Sequence, residues 1–198
     1  MKKKEIYISV DIEADGPIPG RYSMLSLGAA AFTLPKNLVD TFTVNLKPLP
    51  EAKQDSATME WWKRQPEAWK AATADPKEAS EASQAFIAWV NVFQEYKPVF
   101  VAYPSGFDFT FVYWYLMDLC KESPFSFSAL DIKSYAMAVL KRPYRECTKK
   151  NMPKVWFEGI PKHDHVAIND AIGQGYLFCN MHADNMGYRL SDSMWGNA

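Results

Sequence analysis

The sequence predicts an α/β fold: one mixed central sheet, an antiparallel meander followed by parallel strands, with helices on its faces. Three observations predict it. The N-terminal quarter holds three apolar, β-prone runs joined by short connections, the pattern of a meander. Downstream, long segments with apolar residues at helical spacing alternate with short apolar runs. The chain has 198 residues, 48% of them hydrophobic and 23% charged, enough for one domain with a sizeable core.

Each element has its own signal. Ile6-Tyr7-Ile8-Ser9-Val10 is apolar and β-branched, bounded by charge, and reads as a buried strand. Ala14-Asp15-Gly16-Pro17-Ile18-Pro19-Gly20 is a loop by its glycine and proline content. Met24 to Phe32 is the second strand, and its small residues Gly28-Ala29-Ala30-Ala31 mark a place where something packs close. Thr41 to Leu46 alternates as a third strand. Glu60 to Ala72 reads as a helix carrying Trp61, Trp62 and Trp69. Asp75-Pro76-Lys77-Glu78 reads as a helix start with Asp75 as N-cap. The stripe Ala82, Phe86, Trp89, Val90 and Phe93 follows. Pro98 to Ala102 is a short buried strand, and Asp108 to Cys120 a helix burying Phe111, Val112, Tyr115, Leu116 and Leu119. Phe127 to Ile132 reads as the last strand, followed by a helix through Leu140. Lys141 to Lys162 is basic and irregular, and Asp164 to Met181 is the final long helix. Without a repeat or a low-complexity linker, the division is one domain, residues 1–182, and a loosely held polar tail, residues 183–198.

Composition narrows the function. The net charge of −1 announces no nucleic-acid binder, although a whole-chain sum can hide a basic face opposite an acidic site. Cys120, Cys147 and Cys179 are odd in number, widely spaced and free of any CxxC, which argues against a disulfide framework or zinc cluster and for a cytoplasmic location. The start Met-Lys-Lys-Lys-Glu is basic, but the apolar run Ile6–Val10 is too short for a signal core. No apolar stretch approaches the roughly 20 residues that span a bilayer, so no membrane partner is expected.

Three groups of residues carry chemistry. Asp11 and Glu13 end the first strand, and alternation puts both carboxylates on one face. Side by side they repel unless a cation lies between them, and an all-oxygen pair suits Mg²⁺ or Mn²⁺. Asp108 follows Gly106-Phe107 just past the strand ending at Ala102, where α/β sites gather. His165 precedes Asp170 by five residues at the start of the last helix, and a neutral imidazole there can take a proton from water. Each signal has a plain alternative: solvated acids at a strand end, a helix N-cap at Asp108, a surface His near a surface Asp.

Read jointly, Asp-x-Glu, then Asp, then His-x₄-Asp, in this order and in these contexts, resemble the DEDDh exonuclease superfamily over about Ile6 to Phe178. Met24-Leu-Ser-Leu-Gly-Ala-Ala-Ala-Phe32 resembles that superfamily's second strand. Thr58-Met-Glu-Trp61-Trp62-Lys-Arg-Gln65 resembles a segment of its small stand-alone exoribonuclease branch, related to ribonuclease T. Leu130-Asp131-Ile132 resembles the strand end that precedes a helix between the second and third motifs. The resemblance implies a ribonuclease H-like fold and a metal-dependent 3′–5′ exonuclease that removes 5′-mononucleotides from the 3′ end of single-stranded RNA or DNA, RNA favoured by the Trp-Trp segment. Asp11, Glu13, Asp108 and Asp170 would hold two divalent cations, Mg²⁺ or Mn²⁺, and His165 would act as general base. Relatives such as ribonuclease T pair, so a homodimer is consistent with it. A 3′–5′ DNA exonuclease, and a catalytically silent nucleic-acid-binding module, are the alternatives; loss of a carboxylate or of the His would favour the latter, and none is missing.

Departures and substrate contacts complete the reading. Around motif two the chain reads Ala102-Tyr103-Pro104-Ser105-Gly106-Phe107-Asp108, where many relatives carry His-Asn or Gly-Asn-Gly before Phe-Asp. Seven cations, from Lys141 through Lys149 and Lys150 to Lys162, face only Glu146 and Glu158 in that stretch, which could grip phosphates near the site. Trp61, Trp62, Tyr103 and Phe107 are candidates to stack on bases, with core packing expected for at least one tryptophan. Met24 is a candidate wedge against the terminal base, with a core role as its alternative. His163 and His182 compete with His165, but only His165 has the x₄ spacing to Asp170.

Overall fold

The computed structural model describes residues 3–160 and 163–188. Its sheet has five strands in the order β3-β2-β1-β4-β5. β1 (Lys4–Ala14) pairs antiparallel with β2 (Met24–Thr33), and β2 pairs antiparallel with β3 (Asn37–Asn45). On its other edge β1 runs parallel to β4 (Tyr96–Ala102), and β4 to β5 (Leu130–Asp131). The expected meander followed by parallel strands is therefore present.

Strand alternation divides the interior. Ile6, Ile8, Val10 and Ile12 of β1 face a core built with α3 (Ala79–Asn91) and α4 (Ser105–Tyr115), filled by Phe86, Val90, Phe111, Val112 and Tyr115. Tyr7, Ser9, Asp11 and Glu13 point to the opposite face. There Phe32, Val101, Ile132, Ala136, Leu177 and Phe178 form a second core under α5 (Ile132–Leu140) and α6 (Ala167–Asn185). The Ser9 hydroxyl donates to the Ala171 carbonyl at 2.7 Å, which seats α6 on this face of β1.

Several boundaries differ from the sequence reading. The helix expected over Glu60–Ala72 is two, α1 (Ser56–Trp62) and α2 (Pro66–Thr73). Pro66 starts α2 and keeps Gln65 out of helical backbone, which ends the first helix. Asp75 caps no helix: it has a positive φ of 43°, and Lys77 is clipped to the end of β3 by bonds with Asn45 and Lys47 at 2.8 Å, delaying α3 to Ala79. α4 begins at Ser105, before Asp108, and continues as a wider turn over Leu116–Cys120. The strand expected over Phe127–Ile132 shrinks to two residues because Asp131 caps α5, accepting the Ser134 N–H at 2.7 Å. Asp164 does not open α6; its carboxylate accepts from the Val166 N–H and from Asn169, and the helix starts at Ala167.

The basic stretch is pinned rather than loose. Three short turns, Tyr144–Glu146, Lys149–Asn151 and Lys154–Phe157, are anchored by the buried Cys147, Met152 and Trp156. The Trp156 indole donates to Asp184 at 2.8 Å, and Asn180 donates to the Trp156 carbonyl. Asp184 and Asn185, in the stretch read as tail, thus form the last turn of α6; residues 189–198 lie outside the described residues. Among the described residues no helix is long and apolar enough to cross a membrane.

Candidate active site

Three elements bring four carboxylates together. Asp11 and Glu13 come from the end of β1, beyond its last paired residue with β4, and point at α6. Asp170 meets them from the first turn of α6: one ligand atom of each of the three lies within 4.8 Å of the others. This approach is set by Gly28, which pairs with Asp11 across the β1–β2 ladder. A Cβ on Gly28 would sit 2.3 Å from the Ala167 carbonyl carbon and the Ile168 nitrogen, so α6 starts where only glycine leaves room. Asp108, in the first turn of α4, is tied between the β1 acids: its Oδ1 accepts the Ile12 N–H at 3.1 Å. It is not the N-cap that its position suggested; Pro104 flanks the helix.

The electrostatics call for cations. Burial, then the charges of Asp108, Glu13 and Asp170, hold the Asp11 carboxyl well above the usual range. Burial, with Asp170 and Asp108 behind it, pushes Glu13 up to about 8. Burial pushes Asp108 to about 7 against the Ile12 hydrogen bond and the attraction of Lys149. Asp108 Oδ2 and Asp170 Oδ2 are buried with no hydrogen-bond partner. Buried carboxylate oxygens without partners are costly. An all-oxygen set of this charge fits hard divalent cations.

The histidines stand at the mouth. His163 Nδ1 hydrogen-bonds Asp170 Oδ1 at 2.5 Å. The His165 ring lies 4.1 Å, centroid to centroid, from that of His163, and 4.9 Å from the Trp61 ring, edge on. His165 has a positive φ of 60° and precedes α6. Burial, then the neighbouring His163, lowers its pKa, which keeps the ring neutral.

The other candidates separate. Trp61 is half-buried against His165, but Trp62 is 2% exposed and its indole donates to the Ala14 carbonyl at 3.0 Å, leaving no face for a base. Met24 is likewise in the core, 2% exposed among Leu27, Phe86 and Val112, because a register shift between Glu13 and Ala14, which leaves Leu25 unpaired, turns it away from the acids. Phe107 is exposed one residue before Asp108. Tyr103 is half-buried beneath the Lys149 ammonium, 4.9 Å from its ring centroid, and Lys150 is exposed beside Lys149. A cleft lined by Lys149, Phe157, Ile160, His163, Asp170 and Gln174 opens from the carboxylates. Gln174 escaped the sequence reading. Its place four residues after Asp170, on the same helix face, was the available signal.

Comparison with known proteins agrees with this geometry. The profile of the 3′–5′ exoribonuclease Rv2179c-like domain matches residues 6–181. The chain belongs to this family. It is a 3′–5′ exonuclease and so a hydrolase. The Rv2179c-like chain is 36% identical over 177 residues to the 3′–5′ DNA exonuclease Cap18 of Escherichia coli, covering 88% of this chain and 90% of that protein. Its fold matches the nuclease domain of 3′hExo, a DEDDh family member bound to rAMP, with a TM-score of 0.70, 12% identity, and 96% and 97% of the two chains covered. It also matches S. pombe Pop2p in its Mg²⁺- and Mn²⁺-bound form, with a TM-score of 0.61, 14% identity, and 89% and 82% covered. These likenesses establish the ribonuclease H-like fold of the Rv2179c-like chain.

Proposed function

We propose that this Rv2179c-like exonuclease shortens single-stranded RNA from its 3′ end, releasing 5′-mononucleotides. One observation carries the metal-dependent reading: four carboxylates from β1, α4 and α6 converge with Asp108 Oδ2 and Asp170 Oδ2 buried and unpartnered. Asp11, Glu13, Asp108 and Asp170 would hold two cations, Mg²⁺ or Mn²⁺. When bound, such ions lower the pKa of water and neutralise charge on the phosphate and leaving oxygen. His165, neutral and held edge-on by Trp61, takes the proton from the attacking water. Lys149, held over the Tyr103 ring, lines the approach and binds the substrate's backbone, with Lys150 beside it. Phe107, exposed beside Asp108, and Trp61 offer ring faces to terminal bases.

RNA is favoured by the family's description and by the Trp61-Trp62 segment. DNA is the second reading, favoured by the 36% identity to a protein named a DNA exonuclease. A homodimer is proposed on the resemblance to ribonuclease T alone, and the molar mass in solution tests it. The decisive experiment incubates the chain with 3′- and 5′-labelled single-stranded RNA and DNA in Mg²⁺, Mn²⁺ or EDTA. Stepwise 3′ shortening, faster on RNA, abolished by EDTA and by Asp11→Ala, is expected. Faster cutting of DNA would overturn the RNA assignment. Internal cutting, or activity indifferent to Asp11→Ala, would overturn the mechanism.

A further inference from the structure

Gln174 makes two hydrogen bonds that link three separate parts of the active site. Its side chain is buried, 4% exposed, on the face of α6 that carries Asp170 one turn earlier. Its Nε2 donates to Asp11 Oδ1 at 2.6 Å, and its Oε1 accepts the Tyr103 N–H at 2.8 Å. The partners fix the direction of the amide. A backbone N–H can only donate, so the amide oxygen must face Tyr103, and the NH₂ at the other corner of the amide then faces Asp11. One neutral side chain thus joins β1, α6 and the turn between β4 and α4 from which Asp108 projects.

The residue type matters as much as the position. A lysine or arginine here would bond Asp11 equally well, but its positive charge would repel cations from the carboxylates. An alanine would leave the Tyr103 N–H and Asp11 Oδ1 without these partners. An amide satisfies both and leaves the negative charge of the cluster untouched. The geometry points to Gln174 as a positioning residue of the metal centre: it fixes the orientation of the Asp11 carboxylate, and its link to Tyr103 holds Asp11 and Asp108 in register. This rests on the metal reading above. Outer partners of metal ligands typically carry about 10–100-fold in metal affinity.

The test uses the full chain with Gln174→Met, which keeps length and apolar volume but cannot hydrogen-bond in this way, and Gln174→Asn, which keeps the amide but is a methylene too short to span both partners. Mn²⁺ affinity is measured by calorimetry and metal-free stability by melting in EDTA. Expected are melting temperatures close to the unaltered chain, Mn²⁺ binding weaker by about 10–100-fold in both variants, and turnover that recovers when Mn²⁺ is raised. A folded variant that binds Mn²⁺ like the unaltered chain would overturn the inference. Loss of the fold in both variants would also overturn it, in favour of a purely structural amide. Failure of the unaltered chain to bind Mn²⁺ would sink the metal reading itself, a distinguishable outcome because it precedes any substitution.

Discussion

Replacing Gly28 by alanine tests how the site is assembled. The added Cβ would meet the Ala167 carbonyl carbon and Ile168 nitrogen at 2.3 Å and the Ala167 oxygen at 2.4 Å, all backbone atoms. Ordinary contact begins at 3.4 Å, so the start of α6 must retreat from β1 by about 1 Å. Overpacking of this kind costs roughly 1–3 kcal/mol, and backbone cannot swing aside like a side chain, so the upper part of that range applies. For a chain of this size each kcal/mol lowers the melting temperature by about 2–4 °C. The larger effect falls on activity. Asp170 rides on the first turn of α6, one residue before Ala171, whose carbonyl accepts the Ser9 hydroxyl. A 1 Å misplacement of catalytic groups costs on the order of 100-fold. Turnover of single-stranded RNA in saturating Mg²⁺ should fall about that much in Gly28→Ala while the protein stays folded. Gly106→Ala, where a Cβ meets nothing within 4 Å, is the stability control and should melt at or above the unaltered temperature. A Gly28→Ala protein turning over within a few-fold of the unaltered chain would refute the claim that this contact sets the position of Asp170.

Two further outcomes follow from the same geometry. The carboxyls of Glu13 and Asp108 are raised to about 8 and about 7 from ordinary values of 4.5 and 3.8. The folded chain therefore holds more protons than the unfolded one across that window, and metal-free stability falls as pH rises through it; melting in EDTA should drop between pH 5 and pH 8.5. Mg²⁺ at about 100 times its Kd adds roughly 2.7 kcal/mol, or about 5–10 °C, at the upper pH and little at the lower, and equal shifts at both would contradict the electrostatic account. Lys149→Ala should raise KM for RNA several-fold and reduce the slope of log KM against log salt by about 0.7 with little change in kcat, whereas an unchanged slope would remove Lys149 from the phosphate path.

The sheet was legible because alternation is a local rule: Ile6, Ile8 and Val10 announce β1, and the same rule places Asp11 and Glu13 on one face. The breaks within the helical region were less so. Pro66 interrupts a continuous apolar pattern, and the Lys77 backbone is claimed by β3, a long-range bond that no local signal at Asp75 records. Met24 shows the limit from the other side. Its place in the second strand is right, but which face it takes depends on register, and register turns it into the core with Leu27. Trp61 and Trp62 are adjacent in sequence and opposite in role for a comparable reason: one turn of helix buries Trp62 against the Ala14 carbonyl and leaves Trp61 against His165.

The supports of the site are less visible in sequence than the acids they hold, and the difference is physical. A carboxylate in an apolar strand is conspicuous because burying it is expensive. Gln174, Ser9 and Gly28 are ordinary in their local contexts, and each acquires its role only from a partner far along the chain: Tyr103 and Asp11, Ala171, and the Ala167–Ile168 backbone. All three bear on one helix. α6 delivers Asp170, fixes Asp11 through Gln174, and closes on β1 at Gly28 and Ser9. The spacing of acids names the chemistry, but the rigidity that chemistry needs is distributed over α6, so substitutions along the inner face of this helix should reduce metal binding before they unfold the chain.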